Sequence, residues 1–177
     1  MIKLKGVTPA LTIAISGHRP AKLPGQGELN NPEAQEFFGV VRQQLSSAIF
    51  LGRNTFLHGG CSGFDIICME QIIFLKERYP HIKYITVAPF RKDYFAKTWW
   101  TPEWVERAKN VFSKHNGSFV LEHEYRKGIY YDRNKVLIDN CSELICYCAD
   151  EKSGAGFTKN YAEQKNIRVR NIFTGGH

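Results

Sequence analysis

No stretch of this sequence is long and apolar enough to cross a bilayer. The longest apolar runs, such as Ala48 to Leu51 and Gln71 to Leu75, fall far short of the ~20 residues a spanning helix needs. The opening residues, Met1-Ile-Lys-Leu-Lys5, hold no apolar core of a signal peptide followed by a small-residue cleavage site, so export is not expected. Cysteine is scarce and odd in number, five in all, which does not suit a disulfide framework. Reduced thiols and a cytoplasmic location are the expectation. Acids are also in short supply: 17 Asp and Glu stand against 24 Lys and Arg, a formal charge of +7. That surplus suggests an anionic partner, whether nucleic acid, membrane surface or phosphorylated small molecule. Neither a Walker A loop nor a GxGxxG fingerprint is present.

What remains is a globular composition. Hydrophobic residues are 43% of 177, which is enough to build one core without disulfide or metal, so a single domain over 1–177 is expected. Short β-branched runs alternate with longer amphipathic stretches. The pattern predicts strands at 11–16, 54–58, 83–88, 118–122, 143–147 and 168–173, with Pro89 closing the third. Asn31-Pro32-Glu33 has the order N-cap, N1 proline and first-turn acid, and predicts a helix stopped near Gly52. Further helices are predicted at 64–79, from Thr101-Pro102-Glu103 to about 116, at 131–141, and from Ser153 to about 165. This alternation predicts an α/β, Rossmann-like, mostly parallel sheet with helices on both faces. Ligands of such sheets bind beyond the carboxyl ends of the strands.

The chemistry-bearing residues fall at those ends. Gly59-Gly60-Cys61-Ser62-Gly63 joins a strand to a helix, so its amides and the helix N-terminus suit a phosphate. A tight turn with Ser62 as a simple cap is the plainer alternative. Gly59, Cys61 and Gly63 also have nucleophile-elbow spacing with Cys for Ser. A thiol hydrolase would need a base, for which His18, His58 and His123 are the candidates. Gly17-His18-Arg19 follows the first strand, and Arg19 can fork onto a phosphate. Gly154, Gly156 and Thr158 form a second phosphate turn or merely a helix start. Arg133-Asn134 either holds a ligand or stitches loops together. Cys141, Cys146 and Cys148 lack the paired CxxC spacing of zinc sites and read as core thiols, so no metal and no cofactor is expected. Trp99, Trp100 and Trp104 suit base stacking or packing equally.

Taken in order, these motifs resemble the SLOG superfamily, which includes DNA-processing protein A and the Lonely-guy cytokinin-activating proteins. The carriers are Ser-Gly-His-Arg after the first strand, His58-Gly-Gly-Cys-Ser-Gly-Phe-Asp65, Val87-Ala-Pro89-Phe90, Arg133-Asn134 with Asp139, and Gly154-x-Gly156-x-Thr158. The nearest branch is the YpsA/YoqJ-like group of bacterial and phage proteins, and the resemblance covers about 12–172. It implies a Rossmann-like fold that binds nucleotides, with both glycine turns on phosphates and Gly17, His18 and Arg19 lining the same pocket. It implies an ADP-ribose-type ligand as one option, a role in bacteria–phage biology, and a homodimer. On this reading Asp65 or Asp139 binds ribose hydroxyls, and Phe90 or Trp99 covers the base.

Two alternatives stand beside that reading. An N-glycosidase acting on a nucleoside monophosphate would use Asp65, Asp139 or Glu163. Here the Lonely-guy Pro-Gly-Gly is Lys152-Ser153-Gly154, and the catalytic glutamate's place falls on Tyr161. A single-stranded nucleic-acid-binding module would use the +7 charge.

Overall fold

The computed structural model describes residues 2–91 and 100–175. The strands are β1 (Thr12–Gly17), β2 (Thr55–His58), β3 (Lys83–Phe90), β4 (Ser118–Glu122), β5 (Glu143–Tyr147) and β6 (Arg168–Asn171). The α-helices among the described residues are α1 (Pro32–Phe50), α2 (Phe64–Lys76), α3 (Pro102–Ser113), α4 (Ile129–Asp139) and α5 (Gly154–Gln164). The six strands form one parallel sheet in the order β4-β3-β2-β1-β5-β6. The expected α/β architecture is therefore the one observed.

Central strands carry apolar residues to both sides because both faces are covered. Ile13 and Ile15 of β1 and Phe56 of β2 join the core under α1, α2 and α3. Ala14, Leu57 and Leu144 point the other way, under α4 and α5. Each fully buried large side chain contributes roughly 1.5–3 kcal/mol.

Helix starts follow local chemistry. Asn31 Oδ1 accepts from the Glu33 N–H at 3.0 Å, and the Thr101 hydroxyl accepts from the Trp104 N–H at 3.4 Å. The third strand departs from expectation, since β3 runs through Pro89 to Phe90. Lys83 donates its N–H to Asn54 on the β2 side, and Thr86 to Gly117 on the β4 side. Alternation then puts Pro89 on the β2 side, beyond the last β2 partner pair, His58 with Thr86. No ladder donor is missed there.

The chain winds from β1 outward to β4, then returns to lay β5 on the opposite flank of β1. The strand order reverses between β1 and β5, and the crevice this opens lies at their carboxyl ends.

Candidate functional site

A cavity of about 390 Å³ fills that crevice. Its walls come from the loop after β1, the turn after β2, the first turns of α4, and the start of α5. Gly17, His18, Arg19, Cys61, Asp65, Arg133, Asn134 and Gly154 all line it. The sequence separates these residues by more than a hundred positions, and the sheet order brings them together.

Asp65 organises the β2 turn. It is 4% exposed, and its Oδ2 accepts from the Gly59 N–H at 3.1 Å and the Cys61 N–H at 3.2 Å. Two amides that the sequence assigns to a phosphate are thus taken by a carboxylate of the chain itself. Burial pushes the Asp65 carboxyl above its ordinary value, while Arg133, the two amides and Arg19 pull against that rise.

Arg133 reaches across from α4 and is 5% exposed. Its Nε donates to Asn134 Oδ1 at 2.8 Å, and its Nη2 donates to Cys61 Sγ at 3.6 Å. A Cβ on Gly59 would overlap the Arg133 guanidinium, so glycine is required there for the arginine's approach. Gly60 has φ +70°, which glycine alone adopts without cost in so tight a turn. Gly63 has φ +94°, and a Cβ there would fall 2.5 Å from the His18 carbonyl oxygen, which accepts from the Phe64 N–H at 3.1 Å. That bond locks the β1 loop to the start of α2. Gly17 and Gly156 are also small for packing, against the Phe64 ring and the Glu151 backbone.

His18 is a structural tie as well as a wall. Its Nε2 accepts from the Ala149 N–H at 2.8 Å, so that lone pair is committed to the β5 loop. Burial lowers its pKa, Lys22 lowers it further, and Asp150 opposes both. Arg19 is exposed, and its Nη1 donates to Ser62 Oγ at 3.2 Å. Lys22 is exposed, lines the cavity and pairs with Asp150 at 2.7 Å.

Several expectations are corrected by placement. Thr158 does not face the cavity: it is fully buried, and its hydroxyl donates to the Gly154 carbonyl oxygen one turn back at 2.9 Å. Asp139 sits at the far end of α4, accepting from the Tyr161 hydroxyl at 3.0 Å and pairing with Lys165 at 3.8 Å. Glu163 is nine residues into α5, roughly 14 Å from the helix start at 1.5 Å per residue, and pairs with Lys159 at 3.3 Å. Of the three proposed catalytic carboxylates, only Asp65 lines the cavity.

The thiol-hydrolase reading also loses its base: His123 is exposed just past edge strand β4 and outside the cavity lining, and the other two histidines are committed elsewhere. The His18 lone pair is spent on Ala149, and His58 is fully buried with Nε2 on Thr86 Oγ1 at 3.2 Å. Cys68, Cys141, Cys146 and Cys148 are buried, and burial pushes Cys141 and Cys146 up to about 12.

Pro89 and Phe90 lie outside the lining, and Trp99 falls outside the described residues. The aromatic on the wall is Tyr130, whose ring meets Phe90 at 6.1 Å and Tyr125 at 6.4 Å between centroids. Sequence reasoning missed it because a tyrosine opening a helix carries no distinctive spacing.

A model of the YspA SLOG family matches residues 13–173. The uncharacterized SPbeta prophage-derived protein YoqJ of Bacillus subtilis (strain 168) is 28% identical over 120 residues, 62% of this chain and 69% of that protein. DNA processing protein A from Helicobacter pylori, solved for its single-stranded DNA binding mode, aligns with TM-score 0.56 at 21% identity. That alignment covers 92% of this chain and 64% of that one. The Streptococcus pneumoniae DprA aligns with TM-score 0.56 at 17% identity, over 94% of this chain and 52% of that one. The chain thus spans between half and two thirds of those proteins, and likeness at such identity establishes the fold. Among the described residues, no helix is long and apolar enough to cross a membrane.

Proposed function

The chain belongs to the YspA SLOG family, and from that premise we propose that the β1/β5 crevice binds a nucleotide-type phosphorylated ligand. The observation that carries this is the convergence of Arg19, Lys22 and Arg133 with the first turn of α5 on one cavity at the strand-order reversal. A guanidinium suits phosphate oxygens bidentately, and a helix N-terminus adds amide donors and partial positive charge. The cavity size lies within the range of small-molecule sites. The phosphate belongs between Arg19 and the start of α5, with the sugar toward Asn134 and the base toward Tyr130.

The test is calorimetric titration with AMP, ADP-ribose and inorganic phosphate. At least one should bind, and Arg19→Ala should weaken it about tenfold, the loss of one charge-assisted hydrogen bond. Absence of binding by all three would overturn the reading.

A second reading, single-stranded nucleic acid, draws on a separate observation. Tyr125 is 63% exposed, packs against Phe90 and Tyr130 beside the cavity, and is followed by Arg126 and Lys127. Exposed rings next to basic residues form a stacking platform for a strand. The likeness to DprA supports this reading at the level of fold. Loss of oligonucleotide binding on Tyr125→Ala, with AMP binding kept, is its expected signature.

A further inference from the structure

The crevice has a neighbour across Arg19. A second hollow of about 430 Å³ lies between the loop after β1 and the start of α3. Arg19 and Ala21 line both hollows, so the two share a lip. Ser62, which accepts from Arg19, stands on the second side of it.

The two spaces differ in chemistry. The first gathers three cationic side chains around the one carboxylate of Asp65, which already accepts from two backbone amides. The second has Arg19 alone against two carboxylates, Glu28 and Glu103, with the indoles of Trp100 and Trp104 as walls. Carboxylates repel phosphate and accept from N–H and O–H donors, while indoles favour a flat ring. These walls are held in place. Arg107 lies 3.9 Å over the Trp104 ring, gripped by both Glu70 oxygens at 2.8 Å, and its Nη1 donates to the Gly27 carbonyl oxygen at 2.6 Å. Trp100 is 8% exposed, and its buried indole Nε1 has no hydrogen-bond partner among the described residues.

We propose that the two hollows form one bipartite site for two nucleosides joined through phosphate. The linking phosphate sits at Arg19, one nucleoside occupies the crevice, and the second base lies against Trp100 and Trp104. This rests on the nucleotide reading above and adds the class of ligand. The same chemistry occurs in a free dinucleotide and in two consecutive residues of a strand.

The experiment compares three probes by calorimetry: AMP, the strand-type dinucleotide pTpT, and NAD as a 5′–5′ pyrophosphate-linked dinucleoside. At least one dinucleotide should bind tenfold or more tighter than AMP. Glu28→Trp, made at an exposed loop position, fills the second hollow and should erase that gain while leaving AMP affinity unchanged. A gain confined to pTpT assigns a strand, and a gain confined to NAD assigns a free dinucleotide. If AMP binds and neither dinucleotide binds tighter, or if the gain survives Glu28→Trp, the bipartite site is overturned and the nucleotide reading stands. If none of the three binds, the bipartite site is overturned, and the nucleotide reading is overturned with it when ADP-ribose and inorganic phosphate also fail to bind.

Discussion

Gly59 has no side chain because the Arg133 guanidinium occupies the space. Gly59→Ala should therefore expel the arginine from the cavity wall, lower stability by about 1–3 kcal/mol as overpacking does, and abolish AMP binding. Urea unfolding and calorimetry check the two effects separately. A second residue-level expectation concerns acid. His58 is fully buried beside Tyr84, and burial, Arg133 and His115 hold its pKa down to about 3. The unfolded chain, with its histidine near 6.5, then binds the proton first. The stability His58 contributes is full above pH 6.5 and is lost as pH falls toward 3, at up to about 1.4 kcal/mol per pH unit. His18 and His115 shift in the same direction, while Asp65, raised by burial, acts in the opposite sense. His58→Leu should flatten the slope of unfolding free energy between pH 6.5 and 4.5, measured in urea. At this scale the sequence was half legible. Residue types near the strand ends single out Arg19, Asp65 and Arg133, which the fold brings to one cavity. The sequence could not show that Asp65 already holds two amides, since a hydrogen bond across a turn leaves no spacing signal.

Secondary-structure elements are more legible in the sequence. The expected bounds of β4 and β5 are those observed, each being a short β-prone run that starts directly after a turn residue, Gly117 or Ser142. Helix α4 starts two residues early, at Ile129, since its N-cap is Gly128 in the left-handed region at φ +86° rather than a side-chain cap. Edge strand β6 shows what no pattern predicts. Glu143 of β5 is fully buried, and Arg170 of β6 meets its Oε1 through Nη2 at 2.6 Å and Nε at 3.0 Å. Arg170 also donates to the Gln44 carbonyl oxygen of α1 at 3.1 Å. Arg170→Met leaves the buried carboxylate only the 3.6 Å contact with exposed Arg168, and should cost up to about 3–5 kcal/mol. The double variant Glu143→Leu with Arg170→Met should recover most of it. Denaturant midpoints of the two single variants and the double give the coupling.

Across the whole molecule, alternation of strands and helices predicted the layers, but not the strand order. The return from β4 to β5 across β1 depends on which faces are left uncovered, and that is a property of the assembled sheet. The same limit hid the meeting of α4 with the β2 turn. The net charge of +7 yields a prediction at this scale. If a strand spans about three phosphates, affinity for oligothymidylate should fall roughly tenfold to twentyfold between 50 and 200 mM salt, whereas AMP affinity should fall much less. Fluorescence anisotropy at several salt concentrations separates the two. The chain has only three tryptophans, all within 99–104, and two of them wall the hollow beyond Arg19. Emission from Trp100 and Trp104, excited to the red of tyrosine absorption, should therefore shift when that hollow is filled, so the native, unlabelled chain carries its own optical gauge of occupancy.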